Sequence, residues 1–458
     1  MKGNRNTVKM TEGNIWKIFI SFMLPVIGGN LFNSLYNIVD TIIVGRYLGE
    51  NALAAVGAAG TLVFVANGLG IGMVQGFGVV LAQEFGRGHQ QKIRHYLAHV
   101  CVLAVAVLAV IMTIFMAGNH MWLHLMNTIP AIYDDIYSYQ MIVYMGMPAV
   151  FLFQLSSIIS QNMGDSKTPV YFMMGSAVSN VVLNITFIVV LGLGVEGVAY
   201  ATIISQLVSA LGCSLVVIKK YPEIHFQKGD FALEWSMLQK LLGMGFPVAM
   251  QAAIIQVGNV FTQIAMNQYS QVYLAAAAVI GKISSLIMLV YLAIGTTMAI
   301  FVAQNYGAGN IARIKQGVRV GNTIAGCYSV VCILIANLLF QPMVELFVGE
   351  QISLEMEHAC HLFFYAVCWF YPVLGVLEVY RSSVRGLGRA FINMLSSCTE
   401  VAGKLIVVFG FGSIFGMNAI RFGNPISWMF TLIPILPCYF IVMRKLTRYG
   451  IESEKRAI

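Results

Sequence analysis

Asp40 lies in the run Ile15–Val44, IWKIFISFMLPVIGGNLFNSLYNIVDTIIV, whose composition otherwise suits hydrocarbon. A bilayer crossing needs ~20 residues, and a carboxylate inside one costs several kcal/mol unless it faces a protein interior or a wet cavity. The plain alternative is a structural acid satisfied by Asn33 or Asn37, one or two turns back. Asn33, Asn37 and Asp40 recur at spacings of four and three, which puts them on one helical face. Later runs add Asn30, the pair Asn180 and Asn184 on a second shared face, then Thr202 and Gln206. A poorly solvated carboxyl favours its neutral, proton-bearing form, whereas amide carbonyls and hydroxyls around it supply oxygen ligands for a small cation. Both uses stay open. For the asparagines the competing role is interhelical hydrogen bonding that holds a bundle together.

A second set lies beyond residue 240: Gln251, Gln256, Asn259, Lys282, Glu378, Glu400 and Lys404. Glu400 and Lys404 stand four apart with the acid first, the orientation that favours a helical ion pair, so a neutralised structural pair is expected. Glu378 has Arg381 and Arg385 toward one end of its segment and is a candidate proton or cation site. Tyr36, Met141, Tyr144, Tyr291 and Phe364 are candidates to line an adaptable apolar cavity, with core packing as the alternative. No GxxxxGK[ST] loop occurs, so nucleotide hydrolysis is excluded as a power source on sequence grounds, and no cofactor is implied. An ion gradient remains as the energy source, since one charge moving down 100 mV is worth ~2.3 kcal/mol.

The elements that must position these residues are membrane helices. The chain has 458 residues, 58% hydrophobic and only 10% charged, with a mean hydropathy of +0.78; a soluble domain carries ~25% charge. Continuous apolar runs argue against an alternating barrel pattern. The expected fold is all-α and polytopic, with twelve spans near 15–44, 53–83, 94–117, 133–159, 168–191, 195–218, 240–266, 274–304, 317–340, 359–384, 391–412 and 422–443. The net charge of +8 does not point to nucleic acid, because the bases sit in short loops and at the ends. Arg87, Lys92, Arg94, Lys167, Lys219, Lys220, Lys228, Lys240, Arg313, Lys315, Arg319, Arg381, Arg385 and Arg389 fall on one deduced side with the terminal bases, including Lys2 and Arg5. The other side has Arg46 and Arg421 beside Glu345, Glu350, Glu355 and Glu357. That asymmetry places both termini in the cytoplasm. The eight cysteines lie within or beside apolar runs without metal-type spacing and read as small hydrophobes.

The halves echo each other. The segment from Pro25, PVIGGNLFNSLYNIVDTIIVGRYLG, parallels that from Pro247, and AQEFGRG at 82–88 parallels AQNYGAG at 303–309. A third echo sets GDSKTP at 164–169 against GRAFI at 388–392. The markers fall on the same deduced side, which implies a parallel repeat of two six-helix bundles: residues 1–218 and 240–458, joined by a cytoplasmic linker at 219–239. Transporters are often built from such repeats, with the substrate held between them.

These motifs, together with LAAVG, N180xxxN184, GVEGVAYATIISQ and RSSVRGLG, resemble the multidrug and toxic compound extrusion (MATE) family in its bacterial branch, over nearly the whole chain. The resemblance implies an inner-membrane antiporter, active as a monomer, that exports small amphipathic organic cations in exchange for H⁺ or Na⁺. It implies ion coupling at Asp40, with Asn180, Asn184 and Thr202 around it and Na⁺ at Asp40, Asn180 and Asn184 as the alternative to a proton. Where the family commonly has Asp, this chain has Asn184, which removes one carboxylate and weakens the Na⁺ reading. Glu400 matches an acid frequent in the eleventh span; Glu378 is less typical. The competing expectation is a lipid-linked oligosaccharide or peptidoglycan-precursor flippase, which calls for several unpaired cations in its cavity. A channel or scaffold is a third, disfavoured by the lack of any filter-like or ring-forming repeat.

Overall fold

A computed structural model describes residues 9–349 and 353–456, all helix and connecting turns; Lys2, Arg5 and Glu350, used above for sidedness, lie outside them. In chain order the α-helices are α1 (Ile15–Arg87), α2 (Gln90–Ala117), α3 (Asn119–Leu125), α4 (Tyr133–Asn162), α5 (Lys167–Ile185) and α6 (Gly194–Lys220). There follow α7 (Trp235–Met266), α8 (Gln271–Gly307), α9 (Ile311–Leu338), α10 (Phe340–Val348), α11 (Leu354–Cys368) and α12 (Tyr371–Gly386). The last are α13 (Ala390–Leu405), α14 (Gly412–Phe415), α15 (Met417–Ile420) and α16 (Gly423–Arg456). Among the described residues ten helices are long and apolar enough to cross a membrane, or eleven when α11 and α12 count as one bent span. The protein is therefore an all-α, multi-pass membrane protein.

Two expectations about the spans need correction. The break between the first two narrows to a single residue, Gly49, whose φ of 85° lies in the left-handed region that glycine tolerates; α1 runs helically on either side of it. The span expected at 359–384 starts earlier and is split into α11 and α12, which meet at 42°. Pro372 sits in the first turn of α12. It has no N–H to bond back into α11 and disfavours helical geometry in the residue before it. The turn expected at 191–195 is present, but the helix before it ends in a π-helical segment, Thr186–Val190. A second π segment, Ile406–Phe411, follows α13. Such insertions widen a helix locally and recur at functional sites.

The chain divides into two compact units, Leu24–Ala249 and Met10–Met23 with Met250–Ile458. In the first unit α4 and α5 pack on α6. A close backbone approach joins Gly72 and Gly76 of α1 to Gly245 and Ala249 of α7. A Cβ on Gly76 would lie 2.5 Å from the Gly245 Cα, so only small residues fit there. The GDSKTP turn is held by Asp165. Its carboxylate accepts from the backbone N–H groups of Lys167 and Thr168, both at 3.1 Å, and from Lys220 Nζ at 2.5 Å. Desolvation of this carboxylate would raise its pKa, but the Lys220 and Thr168 contacts outweigh it and leave the group below its ordinary 3.8. In the second unit α8, α9, α13 and α16 surround α12. The segment before α1 is clamped there by Arg313, which donates to the carbonyls of Met10, Glu12 and Gly13.

Candidate functional site

Asp40 meets α5 rather than its own helix. Asn184 Nδ2 donates to Asp40 Oδ1 at 2.5 Å and to Asn180 Oδ1 at 2.7 Å. Asn180 Nδ2 in turn reaches Thr202 Oγ1 of α6 at 3.3 Å. Thr202 gives its only hydroxyl proton to the Val198 carbonyl, so at the 3.4 Å contact between Tyr36 and Thr202 the phenol is the donor. Asn180 and Asn184 are fully buried. The chain of contacts therefore ties α1, α5 and α6 together inside the first unit.

One atom of this cluster is left over. Asn184 Oδ1 is buried with no hydrogen-bond partner, although buried acceptors are normally satisfied and an exception calls for a reason. It belongs to the amide whose N–H already holds Asp40. The arrangement is acceptor-rich: the Asp40 carboxylate and a free amide oxygen face a group that must bring a donor or a positive charge.

Asn33 and Asn37 do not join the cluster. Both are exposed, and Asn37 Nδ2 bonds the Asn33 backbone carbonyl within α1. Their periodicity with Asp40 is real, but Asp40 turns to α5. Asn180, Asn184 and Thr202, the residues the family resemblance implied around Asp40, form one chain of contacts with it, and Tyr36 enters as a hydrogen-bond donor. The sequence marked Tyr36 as a candidate cavity-lining side chain and not as a hydrogen-bond donor.

In the second unit Glu400 pairs with Arg381 rather than with Lys404, through Arg381 Nη2 at 2.7 Å, and Thr431 donates to the same oxygen at 3.4 Å. The rule for residues four apart describes an isolated helix. Here α12 brings a bidentate-capable guanidinium that competes better for the carboxylate. Glu378 lies 3.6 Å from Arg381 Nη1, so both acids touch that base, and the Arg385 charge acts on Glu378 as well. Lys404 instead donates to Asn259 Oδ1 of α7 at 2.7 Å, and Asn259 Nδ2 bonds Gln256 Oε1 at 2.7 Å. Gln256 thus belongs with Lys404 and not with the carboxylates.

The MatE family model matches residues 25–186 and 247–408. A probable multidrug resistance protein, YoeA of Bacillus subtilis (strain 168), is 25% identical over 454 residues, covering 96% of each chain. The FAD transporter of Shewanella oneidensis is 23% identical over 94% of this chain and 95% of its own. Among solved structures, an outward-facing multidrug resistance MATE family transporter of the MOP superfamily superposes with a TM-score of 0.90. That match covers 98% of this chain and all of the other, at 18% identity.

Proposed function

Given that this chain belongs to the MatE family, we propose that it exports small amphipathic, mainly cationic compounds in exchange for protons, with Asp40 as the coupling residue. It is a membrane transporter and not an enzyme. The observation that carries the coupling assignment is the pairing of Asp40 with an amide whose own oxygen is orphaned. A protonated Asp40 presents a hydroxyl to Asn184 Oδ1 while its other oxygen keeps the Asn184 N–H, a cyclic pair of two hydrogen bonds that satisfies both groups. The deprotonated form leaves Asn184 Oδ1 empty and exposes a full negative charge to a cationic substrate. Proton and substrate thus compete for one carboxylate, which is what antiport requires.

Sodium is the weaker reading. A hard cation wants about six oxygen ligands, and Asn180 Oδ1 is already engaged by Asn184. A single carboxylate also offsets less of the ion's desolvation than two would.

We assign twelve crossings, because a 73-residue helix broken at Gly49 would run ~110 Å if continuous, against a hydrocarbon core of ~30 Å. Counting α1 as two spans and α11 with α12 as one supports two bundles of six; an even number of spans with the basic loops on one side supports both termini in the cytoplasm, and the family resemblance carries residence in the inner membrane as a functional monomer. The flippase alternative asks for several free cations lining one cavity; Arg381 is committed to two carboxylates, which leaves Lys282 and Lys404 as the embedded bases, few for a pyrophosphate group. The test is uptake of a fluorescent organic cation into vesicles under an imposed pH gradient. Accumulation that needs the gradient supports the proposal, and passive equilibration in both its presence and absence refutes it.

A further inference from the structure

The two halves carry opposite charge in the contact between the first long helix and the helix that ends in a π turn, with the carboxylate on the first long helix of one and the ammonium on the π-ending helix of the other. Asn184 stands two residues before the first π segment, Thr186–Val190, and bonds Asp40 of α1. Lys404 stands two residues before the second, Ile406–Phe411, and bonds Asn259 of α7. Each contact joins the first long helix of a repeat to the helix that ends in a π turn. In the first unit the pair presents a carboxylate; in the second it presents an ammonium.

The acids of the second unit make no direct ion pair with that ammonium, although the Glu400 charge acts on it from beyond contact distance. Glu400 and Glu378 are engaged by Arg381. Among the described residues no carboxylate oxygen comes within 4.0 Å of Lys404 Nζ, whose one hydrogen-bond partner is an amide oxygen. Lys404 is 3% exposed, so it is held in place by packing. An ammonium has three donors, and Asn259 uses one of them.

Lys282 of α8 adds a second base. It is exposed and forms no ion pair among the described residues. It lies eleven residues into α8, which starts at Gln271, about 17 Å from the helix end. Asn259 lies seven residues before the end of α7 at Met266, about 11 Å from the same turn. A lysine stem spans ~6 Å and cannot snorkel to the interface from that depth, so an exposed Lys282 requires a polar or wet surround.

We propose that the second unit holds an oxyanion subsite, formed by Lys404 with Asn259 and Gln256 and assisted by Lys282, that takes a carboxylate or phosphate group of an amphipathic substrate. The inference deepens the transport reading and rests on it: compounds carrying both charges, or an anion alone, enter the substrate range beside simple cations. An anionic lipid headgroup offers the same chemistry as a soluble acid.

The test uses a matched pair of probes, rhodamine B, whose carboxylate makes it zwitterionic, and its methyl ester, a simple cation. Equilibrium binding to the purified full chain in neutral detergent is followed by fluorescence anisotropy. Lys404→Gln and Lys282→Gln are each expected to weaken the acid about tenfold, the scale of one lost charge-assisted hydrogen bond, and to leave the ester unchanged. Lys404→Arg is expected to retain the acid. Because Lys404 is buried, the exposed Lys282→Gln variant keeps the test valid should Lys404→Gln misfold. Acid binding that is displaced by phosphatidylglycerol and not by phosphatidylcholine identifies a lipid headgroup as a further occupant of the same subsite. Unchanged acid binding in both glutamine variants, or equal losses for acid and ester, overturns the proposal. Proton-driven export of the ester tells the two readings apart: if it persists while the acid is insensitive, only the oxyanion subsite falls, whereas its absence removes the transport reading itself.

Discussion

Arg381→Gln should be among the most damaging polar substitutions in the second unit. The side chains of Arg381, Glu400 and Glu378 are 12%, 6% and 15% exposed, so solvent screens their interactions little. Removing the guanidinium strands Glu400 and leaves Glu378 with the Arg385 charge alone, and breaking a buried pair from one side costs about 3–5 kcal/mol. Glu400→Gln should cost a similar amount, because it leaves Arg381 with only the longer 3.6 Å contact to Glu378. The double variant Arg381→Gln with Glu400→Gln removes both charges of the shorter pair and should recover about 2 kcal/mol or more of the summed single losses, a coupling of the size seen for contacting residues. Unfolding in mixed micelles of increasing SDS fraction, followed by tryptophan fluorescence, measures each variant. Additive losses would refute the pairing, and a single Arg381→Gln cost under about 1 kcal/mol would mean the contact behaves like an exposed one.

Three further outcomes follow from the same geometry. Gly76→Leu should destabilise the protein by at least 1–3 kcal/mol, since even its Cβ meets the Gly245 backbone at 2.5 Å; a melting temperature equal to wild type would contradict that close approach. Asp165→Asn should lower stability at pH 7 by about 1–3 kcal/mol. Because the Asp165 pKa is depressed in the folded state, its contribution is full above the ordinary 3.8 and fades as pH falls through the folded value; the gap between wild type and variant in thermal melts should therefore close in acid, and a gap that widens there would overturn the Lys220 assignment. Asn184→Leu should abolish proton-driven export while the protein still inserts and folds, and unaltered export would show that the amide plays no part in coupling.

Local features of the fold were legible and long-range ones were not. Apolar runs announce spans because hydrocarbon demands them, and the paired markers AQEFGRG and AQNYGAG announce a repeat because both halves answer to the same constraint. The 42° bend between α11 and α12 had a readable cause in Pro372, but whether such a proline kinks or ends a helix depends on neighbours that the sequence does not place. The candidate site shows the same division. Asp40 stood out as a charge in hydrocarbon, and Asn180 with Asn184 as a shared face. The bond between Asp40 and Asn184 spans 144 positions, and no periodicity reports it. Glu400 gives the sharper lesson: the four-residue spacing to Lys404 favoured a local pair, yet Arg381, nineteen positions away, holds the carboxylate. The π segments left no pattern in composition.

The central claim is that one proton on Asp40 drives export. Proteoliposomes loaded with a fluorescent organic cation, free of Na⁺ and given an imposed pH gradient, test it most directly when wild type is compared with Asp40→Asn at equal reconstituted amounts. The account predicts gradient-dependent concentrative transport in the wild type and only passive equilibration in Asp40→Asn, with no restoration by a Na⁺ gradient at clamped pH. Concentrative transport by Asp40→Asn, or wild-type transport that ignores the pH gradient and requires Na⁺, would contradict it.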